Sequence, residues 1–127
     1  MKKKKYILIT GVAGFIGFHL ALKLIKLNFD IIGIDNINSY YSKRLKLDRL
    51  KILQKHKSKF KFFKIDLKQK NKVNFIFKKF EICKVYHLAA QAGVRKSIKF
   101  PHTYLSNNIM ATTNLFEVIK NNKICPV

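Results

Sequence analysis

This 127-residue sequence predicts an α/β fold, a parallel sheet covered by helices on both faces. Three observations carry that prediction. Short β-branched runs alternate with segments of helical apolar spacing, the links between them are short, and the first apolar run passes straight into glycines three residues apart. The length suits one hydrophobic core, and a hydrophobic content of 48% is enough to fill it. Right-handed crossovers make 3-2-1-4 the simplest strand order, one half of a doubly wound sheet.

Residues 6–10 (YILIT) form the first strand, and a glycine loop follows. The spacing of Ile16, Leu20, Leu24 and Leu27 predicts a helix over 15–27. Residues 30–35 (DIIGID) read as the second strand and 36–41 as a loop. A basic amphipathic helix spans 43–55, with Leu47, Leu50 and Leu53 as its apolar members. The third strand is 60–65, ending at Asp66. A helix over 68–80 carries Val73, Ile76, Phe77 and Phe80, and the fourth strand is 84–90. A loop runs to Phe100, Pro101 suits a first helical turn, and the helix continues to 121. Ile124 opens a fifth strand.

The formal net charge is +21, and only Arg44, Arg49 and Arg95 among the 27 basic residues are arginine. The lysines are scattered rather than gathered with aromatics on one surface, which favours a solvated exterior over a nucleic-acid or membrane face. A basic nucleic-acid-binding or regulatory protein on the same fold is the rival from another class, and it rests on charge alone. Cys83 and Cys125 form no CxxC pair and fit free thiols in a reducing, cytoplasmic setting. His19, His56, His87 and His102 lack metal-ligand spacing, so no metal is expected. No apolar run reaches the roughly 18 residues of a membrane span.

The opening MKKKKY followed by an apolar stretch has two readings, a secretory signal or a phosphate-binding loop. Gly11, Gly14 and Gly17 decide it. The first permits the tight turn, the second leaves room for a pyrophosphate, and the third lets the helix pack on the strand. The helix N-terminus then offers unpaired N–H groups to the anion. Asp35, 18 residues after Gly17 at the end of the next strand, stands where a ribose hydroxyl needs an acceptor. A signal peptide needs none of this, and Phe18-His19-Leu20 makes a poor cleavage site. The reading is a Rossmann-type dinucleotide-binding half.

TGVAGFIG at 10–17, with Phe15 and Ile16 inside it, closely resembles the extended short-chain dehydrogenase/reductase family. IDN at 34–36 resembles that family's ribose-binding strand end, with Asn36 and Asn38 following. Asp66-Leu67 resembles its adenine-side pair. HLAAQAGVR at 87–95 resembles the loop beside the nicotinamide ribose, and Asn107-Asn108 its asparagine-containing helix segment. The resemblance implies NAD as cofactor, with Asp35 on the ribose and Asp66 and Leu67 on the adenine. Leu88, Ala89 and Ala90 would let backbone approach the cofactor, and Asn108 would face it. Asp35 would repel a 2′-phosphate, so NAD is expected over NADP.

Within the family, NINSYY at 36–41, the basic helix after it, and residues 91–95 look most like UDP-glucuronate 4-epimerases. Nucleotide-sugar 4,6-dehydratases, decarboxylases and other 4-epimerases of the family share the cofactor residues and are the alternatives. Gln91 and Arg95 are the candidates for substrate contact, Arg95 through its planar fork. Ala111 departs from the glycine common there. The family's chemistry uses Tyr-x-x-x-Lys, yet the residues four after Tyr6, Tyr40, Tyr41, Tyr86 and Tyr104 are Thr10, Arg44, Leu45, Ala90 and Asn108. The sequence therefore names no catalytic residue. It reads as the N-terminal, truncated cofactor part of a homodimeric enzyme, with the rest of the sheet and the substrate domain outside it.

Overall fold

The computed structural model describes residues 2–124. Four parallel strands, β1 (Lys5–Thr10), β2 (Ile31–Asp35), β3 (Phe60–Lys64) and β4 (Glu81–His87), form one sheet in the order β3-β2-β1-β4. The connections are α1 (Phe15–Lys26), α2 (Lys43–Gln54) and α3 (Lys70–Lys79). After β4 come α4 (Val94–Lys99), α5 (Pro101–Tyr104), a π-helical segment (Leu105–Met110) and α6 (Ala111–Asn121).

Successive side chains of β1 and β2 serve two separate cores, which is why both strands are apolar nearly throughout. Ile7, Ile9 and Ile31 pack under Phe18, Ala21 and Ile25 of α1 and Leu50 and Leu53 of α2. Leu8, Ile32 and Ile34 pack on the other face, against Val73 and Ile76 of α3 and Leu115, Val118 and Ile119 of α6. Asn28, at a left-handed φ of 70°, turns the chain out of α1. Ser42 caps α2, its Oγ accepting from the Leu45 N–H at 3.3 Å.

Four elements differ from the sequence expectation. The buried face of α1 is Gly17, Phe18, Ala21 and Ile25, and Ile16 and Leu27 are exposed. On α2 the stripe is Lys46, Leu50 and Leu53, and Leu47 is exposed. β4 begins at Glu81, three residues early, and ends at His87, so residues 88–90 are not strand. Its register against β1 jumps from Tyr6↔Ile82 to Ile7↔Lys84. This bulge at Cys83 puts Ile82 and Val85, three residues apart, on the same buried face and hides the period of two. The stretch expected as loop before Phe100 contains α4, which buries no residue.

Ile124 packs partly buried on the α3–α6 core and is not in a strand. The remainder of the expected fifth strand lies outside the described residues. Among those residues no helix is long and apolar enough to cross a membrane, and no cluster of three or more His, Cys, Asp or Glu forms a metal site.

Candidate functional site: a cleft at the strand ends

A cleft of about 340 Å³ opens at the C-terminal ends of the strands, where the chain leaves β1 for one side and β4 for the other. In open α/β sheets such a switch point is where ligands bind. Its floor is the glycine loop. Gly11 has φ +68°, and a Cβ there would lie 2.8 Å from the Ala89 nitrogen. Gly17 is equally constrained, since its Cβ would sit 2.2 Å from the Gly11 carbonyl oxygen. Gly14 precedes α1 in extended conformation without a side-chain cap, and the first turn of α1 has no acidic residue. The first amides of α1 are thus left to an anion in the cleft. Phe15 and Ile16, both 66% exposed, stand at its lip.

The β2 side carries charge. Asp35 is buried, and its two oxygens accept from the Ala13 N–H at 3.0 Å and the Ile37 N–H at 2.8 Å. A carboxylate offers about four acceptor positions, so each oxygen keeps capacity for a ligand hydroxyl. Lys46 reaches in from α2 with its Nζ 4.0 Å from Asp35 Oδ1. The same ammonium donates to Asn38 Oδ1 at 2.9 Å and lies 4.7 Å from the Tyr41 ring centroid. Burial pushes the Lys46 pKa below its ordinary value, with Asp35 pulling it back up. Asn36 and Asn38 line the cleft nearby. Asp66 and Leu67 close it after β3, the Asp66 carboxylate accepting from the Lys68 N–H at 2.9 Å.

The third wall is Leu88, Ala89, Ala90 and Gln91. Asn108 holds it from the π-helical segment. Its Oδ1 accepts from the Gln91 N–H at 2.6 Å, and its Nδ2 donates to the Gln91 carbonyl at 3.1 Å. Asn107 also reaches this wall, donating to Gln91 Oε1 at 3.3 Å. Adjacent residues on an ordinary α-helix diverge by about 100°; the wider π turn spans the two asparagines that both engage Gln91. Tyr104 donates its hydroxyl proton to the Ala92 carbonyl at 2.9 Å. Gly93, at φ +109°, lies so close to Tyr40 that a Cβ would meet its hydroxyl. The loops after β2 and β4 therefore touch beside the cleft.

Fourteen of the sixteen residues singled out from sequence line this one cleft. Asn108 stands behind the wall, both amide atoms engaged by Gln91. Arg95 is exposed on α4 and outside the lining. Sequence reading quoted Tyr40, Tyr41 and Asn107 only within family-like segments and did not assign them, or Lys46, to the site. Lys46 had a signal, because it falls on the helical stripe of Leu50 and Leu53.

The family model described as GDP-mannose 4,6 dehydratase matches residues 8–126. This chain belongs to that family. Over 91% of its length it is 43% identical to the UDP-glucuronate 4-epimerase of Thermodesulfobacterium geofontis, covering 36% of that protein. It is 50% identical to Protein CapI of Staphylococcus aureus over 87% of its length and 33% of CapI. The solved UDP-glucuronic acid 4-epimerase from Bacillus cereus, in complex with UDP-glucuronic acid and NAD, superposes with a TM-score of 0.81 at 36% identity. That match covers 95% of this family member and 37% of the solved chain. The chain spans about a third of the length of these relatives. The expected fold, a parallel Rossmann-type sheet in the order 3-2-1-4, is the observed one.

Proposed function

We propose that this chain binds NAD and is the cofactor part of an epimerase that interconverts UDP-glucuronate and UDP-galacturonate through a 4-keto sugar. The observation that carries the reading is the pairing of an uncapped α1 N-terminus with buried Asp35 in one cleft. The likeness to UDP-glucuronate 4-epimerases supports the substrate, as does the Gln91–Arg95 segment. A 4,6-dehydratase or decarboxylase would use the same cofactor residues.

The residues fit the cofactor. Gly14 puts no side chain between the α1 amides and the cleft, leaving them to a pyrophosphate. Asp35 accepts from ribose hydroxyls and sets its charge against a 2′-phosphate. Leu88–Ala90 present backbone and small or apolar side chains to the nicotinamide end. When bound, NAD supplies a hydride acceptor that returns the hydride in the same cycle. Proton transfer from the sugar hydroxyl falls to a Tyr-x-x-x-Lys pair, which none of the five tyrosines here forms. Cofactor binding is the share of the reaction assigned to these residues, and the chain alone should leave UDP-glucuronate unchanged. Exposed Leu105, Ile109, Met110 and Phe116 give the α5–α6 region an apolar surface suited to a homodimer.

Calorimetric titration with NAD and NADP tests the assignment. NAD should bind at least about tenfold more tightly, a difference of about 1.4 kcal/mol. Equal affinities, or no binding of either, would overturn it.

A further inference from the structure

The β2 side of the cleft brings a tyrosine to the glycine loop. Tyr41, just before α2, lines the cleft. Its hydroxyl oxygen lies 3.8 Å from the place a Cβ on Gly14 would take, beside the space that glycine leaves open. Two residues of α2, three apart and so neighbours on one helix face, hold the ring. The Lys46 ammonium is 4.7 Å from its centroid, and Arg49 Nη1 donates to its hydroxyl at 3.3 Å. The same Nη1 donates to the Ala13 carbonyl at 3.1 Å. That nitrogen carries two hydrogens, one for each acceptor, so a single atom sets the phenol in register with the glycine loop. The guanidinium carbon also lies 5.8 Å from the Phe15 ring centroid, against the start of α1.

Tyr41 accepts from Arg49, so its own hydrogen is free to donate. No acceptor for that hydrogen lies within bonding distance among the described residues. The N–H groups of Phe15, Ile16 and Gly17, the first residues of α1, likewise have no backbone acceptor among them. Asp35 has Lys46 as its counter-charge, whereas Arg49 is in none of the ion pairs that the described residues form. Unspent donors and an unpaired cation beside Gly14 suit an anion with several oxygens. Arg49 is outside the cleft lining, so its part is played through Tyr41.

We propose that Tyr41 is a cofactor-contacting residue: its hydroxyl donates to a pyrophosphate oxygen in the glycine cradle, with Arg49 as the positioning residue behind it. This contact rests on the dinucleotide reading above and extends it beyond the glycine motif. It gives α2 a part in holding the phosphates, separate from the ribose acceptor at Asp35. A hydrogen bond to a charged oxygen is stronger than one between neutral groups, and the phenol's 39% exposure to water moderates it.

Tyr41→Phe deletes one oxygen and keeps the ring beneath Lys46. Calorimetric titration should show the NAD dissociation constant raised about five- to tenfold, one charge-assisted hydrogen bond reduced by exposure. The urea midpoint should stay that of the unmodified chain. Adenosine, which keeps base and ribose but has no phosphate, should bind both chains alike in an NMR titration. Arg49→Met should weaken NAD at least as much. Adding Tyr41→Phe to it should cost less than about twofold more, because the phenol has then lost what orients it. An unchanged NAD constant in Tyr41→Phe, or an equal loss for adenosine, would overturn the proposal.

Inorganic pyrophosphate separates this contact from the function it rests on. Added to the ¹⁵N-labelled chain, it should shift the amide signals of Phe15, Ile16 and Gly17, with weaker binding in Tyr41→Phe. If it does so while neither chain binds NAD, the proposed function fails and the Tyr41 contact stands. If NAD binds with its preference over NADP and Tyr41→Phe leaves both constants unchanged, the contact fails and the function stands. No binding of either ligand would overturn both.

Discussion

The glycine-loop wall of the cleft is held by the absence of side chains, and the wall after β4 by their presence. Gly11 and Gly17 let backbone touch backbone at distances a Cβ would forbid. Across the cleft, Asn108, Thr10 and Tyr104 hang the segment 88–92 on hydrogen bonds to its own main chain. The first arrangement rests on backbone contact at Gly11 and Gly17 and has no small adjustment open to it. The second can loosen one bond at a time. A site built this way has a rigid anion cradle facing an adjustable wall, and the two should fail differently when altered.

The largest effect is expected in the rigid wall. Gly17→Ala places a methyl 2.2 Å from the Gly11 carbonyl oxygen and 3.0 Å from Val12 Cα, backbone that cannot swing aside. It should destabilise the chain by about 3 kcal/mol, the upper end for overpacking, and urea unfolding would show it as a lower midpoint. Near-normal stability would mean the loop yields more than its contacts imply.

The adjustable wall should respond more gently. Asn108→Ala removes both bonds to the Gln91 backbone. Each is worth about 1 kcal/mol, and partial exposure lets water replace them in part, so a loss of about 1 kcal/mol is expected. NAD affinity should fall more than stability does, since the lining is what moves. Comparing calorimetric and urea data on this variant separates the two, and an unfolding as severe as that of Gly17→Ala would erase the contrast between the walls.

What could be read from sequence divides along the same line. Glycine spacing is a local signal with a steric cause, so the loop, Asp35 and the first three strands were legible. The β4 side was not. A bulge at Cys83 shifts the period of its strand, α4 is six residues long with its apolar pair Val94 and Ile98 exposed and so gives too short a periodic signal, and a π turn has no compositional mark. Asn108 was foreseen as polar and purposeful, but its partner is the Gln91 backbone. Lys46 was hidden differently, because a lysine on a basic helix reads as solvated until its place in the 46/50/53 stripe is noticed.

Lys46 also supplies the smallest expected effect. Lys46→Met keeps a buried stem of like length and removes an ammonium whose burial is costly, which donates to Asn38 Oδ1 at 2.9 Å and lies 4.0 Å from Asp35. Removing one partner of a tight buried ion pair leaves the other charge unpaired and costs several kcal/mol. Here the pair is loose, at 4.0 Å, and Asp35 keeps two amide donors, while loss of the ammonium's own burial cost offsets part of what remains. The net loss should be no more than about 1 kcal/mol, the worth of the single hydrogen bond to Asn38, read from the thermal midpoint. A large loss would show that the ammonium, rather than those amides, anchors the carboxylate.

Asp35 has one further tie, to Ile37. That residue is β-branched, buried, and held at φ +52°, a left-handed conformation that costs an ordinary side chain about 1–2 kcal/mol. The carboxylate accepts its N–H while its other oxygen secures the glycine loop through Ala13. Evolution cannot easily retune such a position. Exchanging the acid for a neutral residue, the obvious step toward admitting a phosphorylated ribose, would also unfasten a contorted turn and the floor of the cleft. A lineage starting from this sequence would need compensating changes at Ile37 or Ala13 first. Preference for one dinucleotide would then persist by inheritance of a folding solution, even where selection on the cofactor itself was relaxed.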